Sequence, residues 1–163
     1  MKARVAPGTS REIGLFASLF ARLAGRIMDT EPPAVFTTLA RTRRVFWGWL
    51  AFSGALMPFG HLTRRESELA ILRVAHLTGS AYEATHHRRL GRRAGLSTDE
   101  IHAILGGPTV AFSPRDQGIL TTIDNLHEHD DLDDAQWDLL REHLNERESI
   151  ELLLLVGQYQ GLA

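Results

Sequence analysis

RRESELAILRVAHLTGSAYEATHHRRLGRRAGLS, residues 64–97, decides how the chain folds. Thr63 followed three residues on by Glu66 is a capping box, in which each side chain bonds the other's backbone N–H. The helix it opens is apolar nearly all round (Leu69, Ala70, Ile71, Leu72, Val74, Ala75, Leu77), so it belongs inside the protein. Gly79 closes it. Ser80 with Glu83 reads as the box of a second helix that runs to Ala94, and Gly95 stands where a left-handed residue ends a helix.

Similar signals cut the remaining chain into helices. Thr9 with Glu12 opens the first, which places Ile13, Phe16, Ala17, Phe20, Ala24 and Ile27 on one face and stops at Asp29 to Pro33. A second runs from Ala34 to Met57 with Arg41, Arg43 and Arg44 along part of it. Beyond the central pair, Ser97 with Glu100, Ser113 with Pro114, Asp133 with Gln136 and Asn145 with Glu148 open four more. His127 to Asp131 is a polar break. No strand alternation, hairpin chemistry or internal repeat appears. The expected fold is all-α, about eight helices in a single domain, with residues 1–33 as an N-terminal helical extension and 34–163 as the main helical domain.

Composition narrows the function. The 163 residues hold eighteen Lys and Arg against twenty Asp and Glu, a formal charge of −2, so no overall basic field draws nucleic acid or anionic lipid. There is no cysteine, which removes disulfides, thiolate metal sites and every thiol mechanism. The longest apolar run, Val45 to Met57, is shorter than the roughly 20 residues that span a bilayer, and reads as a buried helix or an oligomer seam. Arg11, Glu12 and Arg22 interrupt any export signal, so the expected location is cytoplasmic.

Chemistry concentrates in residues 64–97. Glu68 is a carboxylate on a helix that should be dry, where burial alone raises its pKa and suits acid/base work; a salt bridge to Arg64 or Arg65 is the structural alternative. Glu83 and His87 are four apart, as are Tyr82 and His86, so each pair shares a helix face. A Glu beside a His favours the protonated ring, whereas the capping box offers Glu83 a purely structural role. His86 and His87 diverge by about 100°, so one ring points inward and one outward. Glu83-Ala84-Thr85-His86 also has the Glu-x-x-His form of a di-metal bundle, but no second copy exists, and no metal is expected. Arg88, Arg89, Arg92 and Arg93 form a local cationic face. Leu90 to Ser97, followed by Ile101 and Ile104, has the spacing of a DNA-binding helix-turn-helix, yet Asp99 and Glu100 sit where phosphates would lie.

Taken together, Arg65-Glu66-x-Glu68-Leu69-Ala70-Ile71-Leu72-Arg73, Gly79-x-x-Tyr82-Glu83-x-x-x-His87 and Ala94-Gly95-Leu96-Ser97 resemble the carboxymuconolactone decarboxylase family, which includes the alkylhydroperoxidase D-like proteins. Phe112 to Arg115 and the helix from Leu152 to Tyr159 resemble later elements of it. The resemblance implies an all-helical alkylhydroperoxidase D-like subunit that assembles into trimers or hexamers. In the peroxidase branch a Cys-x-x-Cys pair works with a Glu and a His; here Ser80 and Glu83 occupy the cysteine positions, while Glu68 and His87 match the other two. The decarboxylase branch needs no cofactor. The resemblance therefore implies Glu68 and His87 as acid and base, Tyr82 and Glu83 beside them, and His86, Arg65, Arg73 or Arg88 holding a small carboxylated, lactone-type substrate. Lactone hydrolysis or isomerisation would use the same groups. A DNA-binding module and a non-catalytic oligomeric relative are the alternatives.

Overall fold

The computed structural model describes residues 4–28 and 30–163. Every regular element among them is helical: α1 (Ser10–Ile13), α2 (Leu15–Met28), α3 (Ala34–Leu39), a 3-10 turn (Ala40–Thr42), α4 (Arg44–Leu56), α5 (Arg64–Leu77), α6 (Ala81–Arg93), α7 (Thr98–Ile104), α8 (Pro114–His129), α9 (Asp134–His143) and α10 (Glu146–Leu162). They divide into two compact units, Met1–Ala55 and Leu56–Ala163. The first takes in residues 34–55, which the sequence alone groups with residues 56–163. No described helix is long and apolar enough to cross a membrane.

Among the described residues ten helices replace the expected eight, because two of the predicted ones break in the first unit. Gly14 adopts φ 82, a left-handed conformation open to glycine, and its N–H closes α1 on Ser10 before α2 starts. Arg43, at φ 54, separates the 3-10 turn from α4. The Gly14 break also rephases the face expected of the first helix. Ile13, Ala17 and Ala21 are buried, whereas Phe16 and Ile27 are 78% and 70% exposed. Asp29, part of the expected stop, lies outside the described residues. The core of this unit is small: Ile13, Ala17, Ala40 and Phe46, with Phe20, Phe36 and Trp49 packed against it. Phe20 meets Phe36 and Phe46 edge-on, at ring separations of 5.2 and 6.1 Å. α4 is not a buried helix in this chain, since Val45, Trp47 and Phe52 all remain exposed.

The second unit is built around α5. Leu69, Ala70, Ile71 and Leu72 are all at most 1% exposed, as expected of a helix that is apolar all round, and α6, α8 and α10 pack on it. Buried leucine and isoleucine side chains each contribute roughly 1.5–3 kcal/mol. The Thr63–Glu66, Ser97–Glu100, Asp133–Gln136 and Asn145–Glu148 boxes form as predicted. α8 runs through His127 to His129 and stops at Asp130, which adopts φ 57 as its left-handed cap. The helix thus covers most of the stretch that its composition suggested was a break.

One predicted box does not form, and its failure shapes the site. The N–H of Gly79 bonds the carbonyl of His76 and that of Ser80 bonds Ala75, the paired closure that a left-handed glycine permits at a helix end. Ser80 N–H is thereby taken, leaving Glu83 nothing to cap. The Ser80 side chain makes no capping bond either. Glu83 is released from the structural role that spacing assigned it.

Candidate active site

α6 comes close to α5 at Gly91, where an added Cβ would meet Leu72 Cδ1 of α5 at 3.2 Å and Leu96 Cδ1 at 3.1 Å. His87 lies one turn earlier on the same face of α6, so this approach presses its ring onto α5. His87 Nδ1 stands 2.7 Å from Glu68 Oε2, and its Nε2 stands 3.2 Å from Glu83 Oε2. Both ring nitrogens thus face carboxylates. Arg64 sits 2.5 Å from the other oxygen of Glu68, an ion pair without hydrogen-bond alignment, so Glu68 Oε1 has no hydrogen bond. Tyr159 on α10 packs its ring at 90° against the imidazole, with centroids 5.3 Å apart.

The charges explain one another. Burial disfavours a charged His87, but hydrogen bonds to Glu68 and Glu83, together with their negative charge, outweigh it and raise the ring to about 9. An imidazole so placed carries its proton at neutral pH. Burial pushes the Tyr159 phenol up, and the nearby Glu83 and Glu68 carboxylates push it further. Tyr159 is therefore a neutral wall to the site. Glu68 is 0% exposed while Glu83 and His87 are each 6% exposed, so what access the site has is on the Glu83 side of the imidazole.

The remaining predicted residues fall into three places. Tyr82 and His86 meet on α6 with centroids 4.5 Å apart and ring planes tilted by 59°; burial lowers the His86 pKa, with Glu83 opposing and His87 and Arg89 adding to the fall. His86 is half-buried and His87 buried, the divergence expected of neighbouring positions. Arg65 grips Asp116 at 2.8 and 2.9 Å and also bonds Glu100, and Arg73 grips Asp124 at 2.6 and 2.9 Å. Both guanidinium groups brace the bundle. Arg88 is exposed on α6. Among the described residues no group of three or more His, Asp or Glu could hold a metal ion, and His87 has both nitrogens turned to carboxylates. A cavity of about 240 Å³ in the first unit, lined by Phe16, Arg43, Phe46 and Trp47 among others, contains none of these residues.

Sequence reasoning did not place Tyr159 or Gly91 at the site. The signal for Tyr159 was its register on α10: Leu152, Leu155, Val156 and Tyr159 form one buried stripe. Gly91 carried a weaker sign, a glycine inside a helix that would otherwise gain about 1 kcal/mol from alanine.

This helical scaffold, with a histidine held between two carboxylates, is the alkylhydroperoxidase D-like fold. Over residues 43–116 the chain matches the model of the carboxymuconolactone decarboxylase family. Solved structures share the fold at low identity. An uncharacterized peroxidase-related protein from Silicibacter sp. TM1040 superposes with a TM-score of 0.84 at 14% identity, covering 99% of this chain and 88% of that one. A cysteine-to-alanine variant of the debrominase Bmp8, in complex with 2,3,4-tribromopyrrole, gives 0.81 at 14% identity over 99% and 87% of the two chains. A protein of unknown function from Agrobacterium tumefaciens gives 0.66 at 19% identity over 72% and 82%. No curated protein matches the chain.

Proposed function

We propose that this chain is a cofactor-independent acid/base enzyme of the decarboxylase type, acting as a cytoplasmic homo-oligomer on a small carboxylated, lactone-type substrate. The observation that carries the reading is the protonated His87 bridging Glu68 and Glu83. Glu68, on the closed side, positions the ring through Nδ1. Nε2 is the donor. For a carboxylate β to a carbonyl, the C–C bond breaks, carbon dioxide leaves, and the electron pair passes into the carbonyl as an enolate. His87 Nε2–H then protonates that enolate, and solvent restores the proton. Glu83 yields Nε2 to the substrate and stabilises the ring from beside it. Of the arginines implied by the family resemblance, Arg88 is the exposed one, and it is the anchor for a substrate carboxylate. With no cysteine in the chain, no thiol of its own takes part.

The test is carbon dioxide release from carboxymuconolactone. His87→Ala should abolish it and Glu68→Gln should reduce it at least tenfold, both with unchanged helical circular dichroism. Lactone loss without carbon dioxide would redirect the assignment to hydrolysis or isomerisation. The closure of Glu68 and its pairing with Arg64 favour one second reading, in which the network only clamps α5 to α6. In that case neither variant would alter turnover, and both would lower the unfolding temperature.

A further inference from the structure

We propose that the cavity in the first unit binds a small aromatic carboxylate, a single substituted ring whose anionic group is held by Arg43. The cavity has a volume of about 240 Å³. An apolar cavity of about 150 Å³ takes a benzene ring, so this one has room for a ring and a carboxylate. Its surface suits such a guest. Phe16, Phe46 and Trp47 line it with rings, and Phe46 meets Trp47 edge-on at a centroid separation of 5.1 Å. Gly14, Ala17 and Ala40 line the same space with little or no side chain, so the rings enclose room and do not fill it. Phe16 and Trp47 are exposed, and a bound ring would cover apolar surface that the small core of this unit leaves open.

Charge selects the anion. Among the described residues Arg43 is the one charged side chain that lines the cavity, and no carboxylate does. Arg41, two positions earlier, is already engaged: it pairs with Glu12 at 2.9 Å and bonds the carbonyl of Ala6 at 3.1 Å. Arg43 makes no such pair among the described residues. Its backbone is also costly, because φ 54 with ψ −92 is a conformation that a residue with a Cβ rarely adopts. Glycine would relieve that strain, and strained residues persist where the side chain is needed in that place. α2 begins directly after Gly14, so the first N–H groups of the helix, which have no acceptor within it, add positive potential on the same side. A carboxylate meets the guanidinium while its ring lies among the aromatic side chains.

The site is independent of the acid/base chemistry proposed above, since none of its residues takes part there, and it is read without an activity assay. para-Fluorobenzoate titrated with the full chain and followed by fluorine NMR should bind at sub-millimolar concentration. Arg43→Gln should weaken binding about tenfold, and para-fluorobenzyl alcohol, a like ring without the charge, should bind the unmodified chain about as weakly. Arg43→Gly keeps the test decisive, because it should abolish binding while raising the unfolding temperature by about 3 °C as the backbone strain is released. His87→Ala and Arg88→Gln should leave the affinity unchanged, which separates this cavity from the acid/base site. The proposal is overturned if the probe does not bind the unmodified chain at millimolar concentration, if the alcohol binds as tightly as the anion, or if Arg88→Gln removes binding while Arg43→Gln retains it. An affinity that falls as the protein is concentrated would also overturn it, by assigning the cavity to a contact between copies of the chain.

Discussion

His87 holds its proton because two carboxylates face its two nitrogens, and that arrangement has a measurable consequence for stability. The folded pKa, about 9, lies above the unfolded value near 6.5, so the ring's contribution is fully present below pH 6.5 and is lost as pH rises through 9. Its size is about 3 kcal/mol at 1.36 kcal/mol per unit. Urea denaturation followed from pH 6 to 10 should show stability falling across that window, and His87→Gln should flatten the slope. A proton NMR titration of the native ring should place its midpoint well above 7. If the proposed donor role is correct, turnover should fall over the same alkaline limb. Glu68→Ala tests the opposite partner. It leaves a buried cation with one neighbour fewer and should cost about 3–5 kcal/mol.

Helix ends and one helix crossing place these residues. Gly79 at φ 70 permits the tight closure of α5, and a Cβ there would meet nothing, so Gly79→Ala should cost about 1 kcal/mol through the backbone alone. Gly91 is the contrasting case: its backbone is helical, but Leu72 and Leu96 leave a side chain no room. Gly91→Val should destabilise by about 1–3 kcal/mol through overpacking. It should also lift His87 away from Glu68, and the measured histidine pKa should drop toward 6.5. A variant that lost stability with the His87 titration unchanged would show that the crossing does not set the site.

Over the whole molecule, the second unit is tied by charge as well as by its core. Arg115 bonds Glu66 at 2.5 Å and Glu148 at 2.9 Å, joining α8 to α5 and α10, and Glu151 takes the backbone and ring of His61. The Glu66 carboxyl is held below its usual range because bonds from Arg115 and Thr63 outweigh burial; for Glu148 the bond from Arg115 leads. Depressed carboxylates contribute above their unfolded pKa near 4.5 and lose that contribution as pH falls through the folded value. Acid unfolding should therefore begin below about pH 4.5. Arg115→Met should move its midpoint to higher pH, since both carboxylates would lose the guanidinium that helps hold them down.

The helical class, five of the six capping boxes and the pairing of Glu83 with His87 were legible in the chain, because each depends on residues three or four apart that a helix brings together by itself. The family motif likewise marked Glu68 and His87 from local strings. Three things were decided only by tertiary structure. The failed box at Ser80 turned on a neighbouring helix end that claimed its N–H, which propensity at Ser80 does not register. The burial of α2's wrong-seeming face followed from a single left-handed glycine that shifted the phase of every later residue. The convergence of Glu68, His87 and Tyr159 needed three helices, up to 91 residues apart in the chain, to meet across one core. Spacing within a helix specifies which side chains share a face; only the packing of faces against one another specifies which charges they will find there.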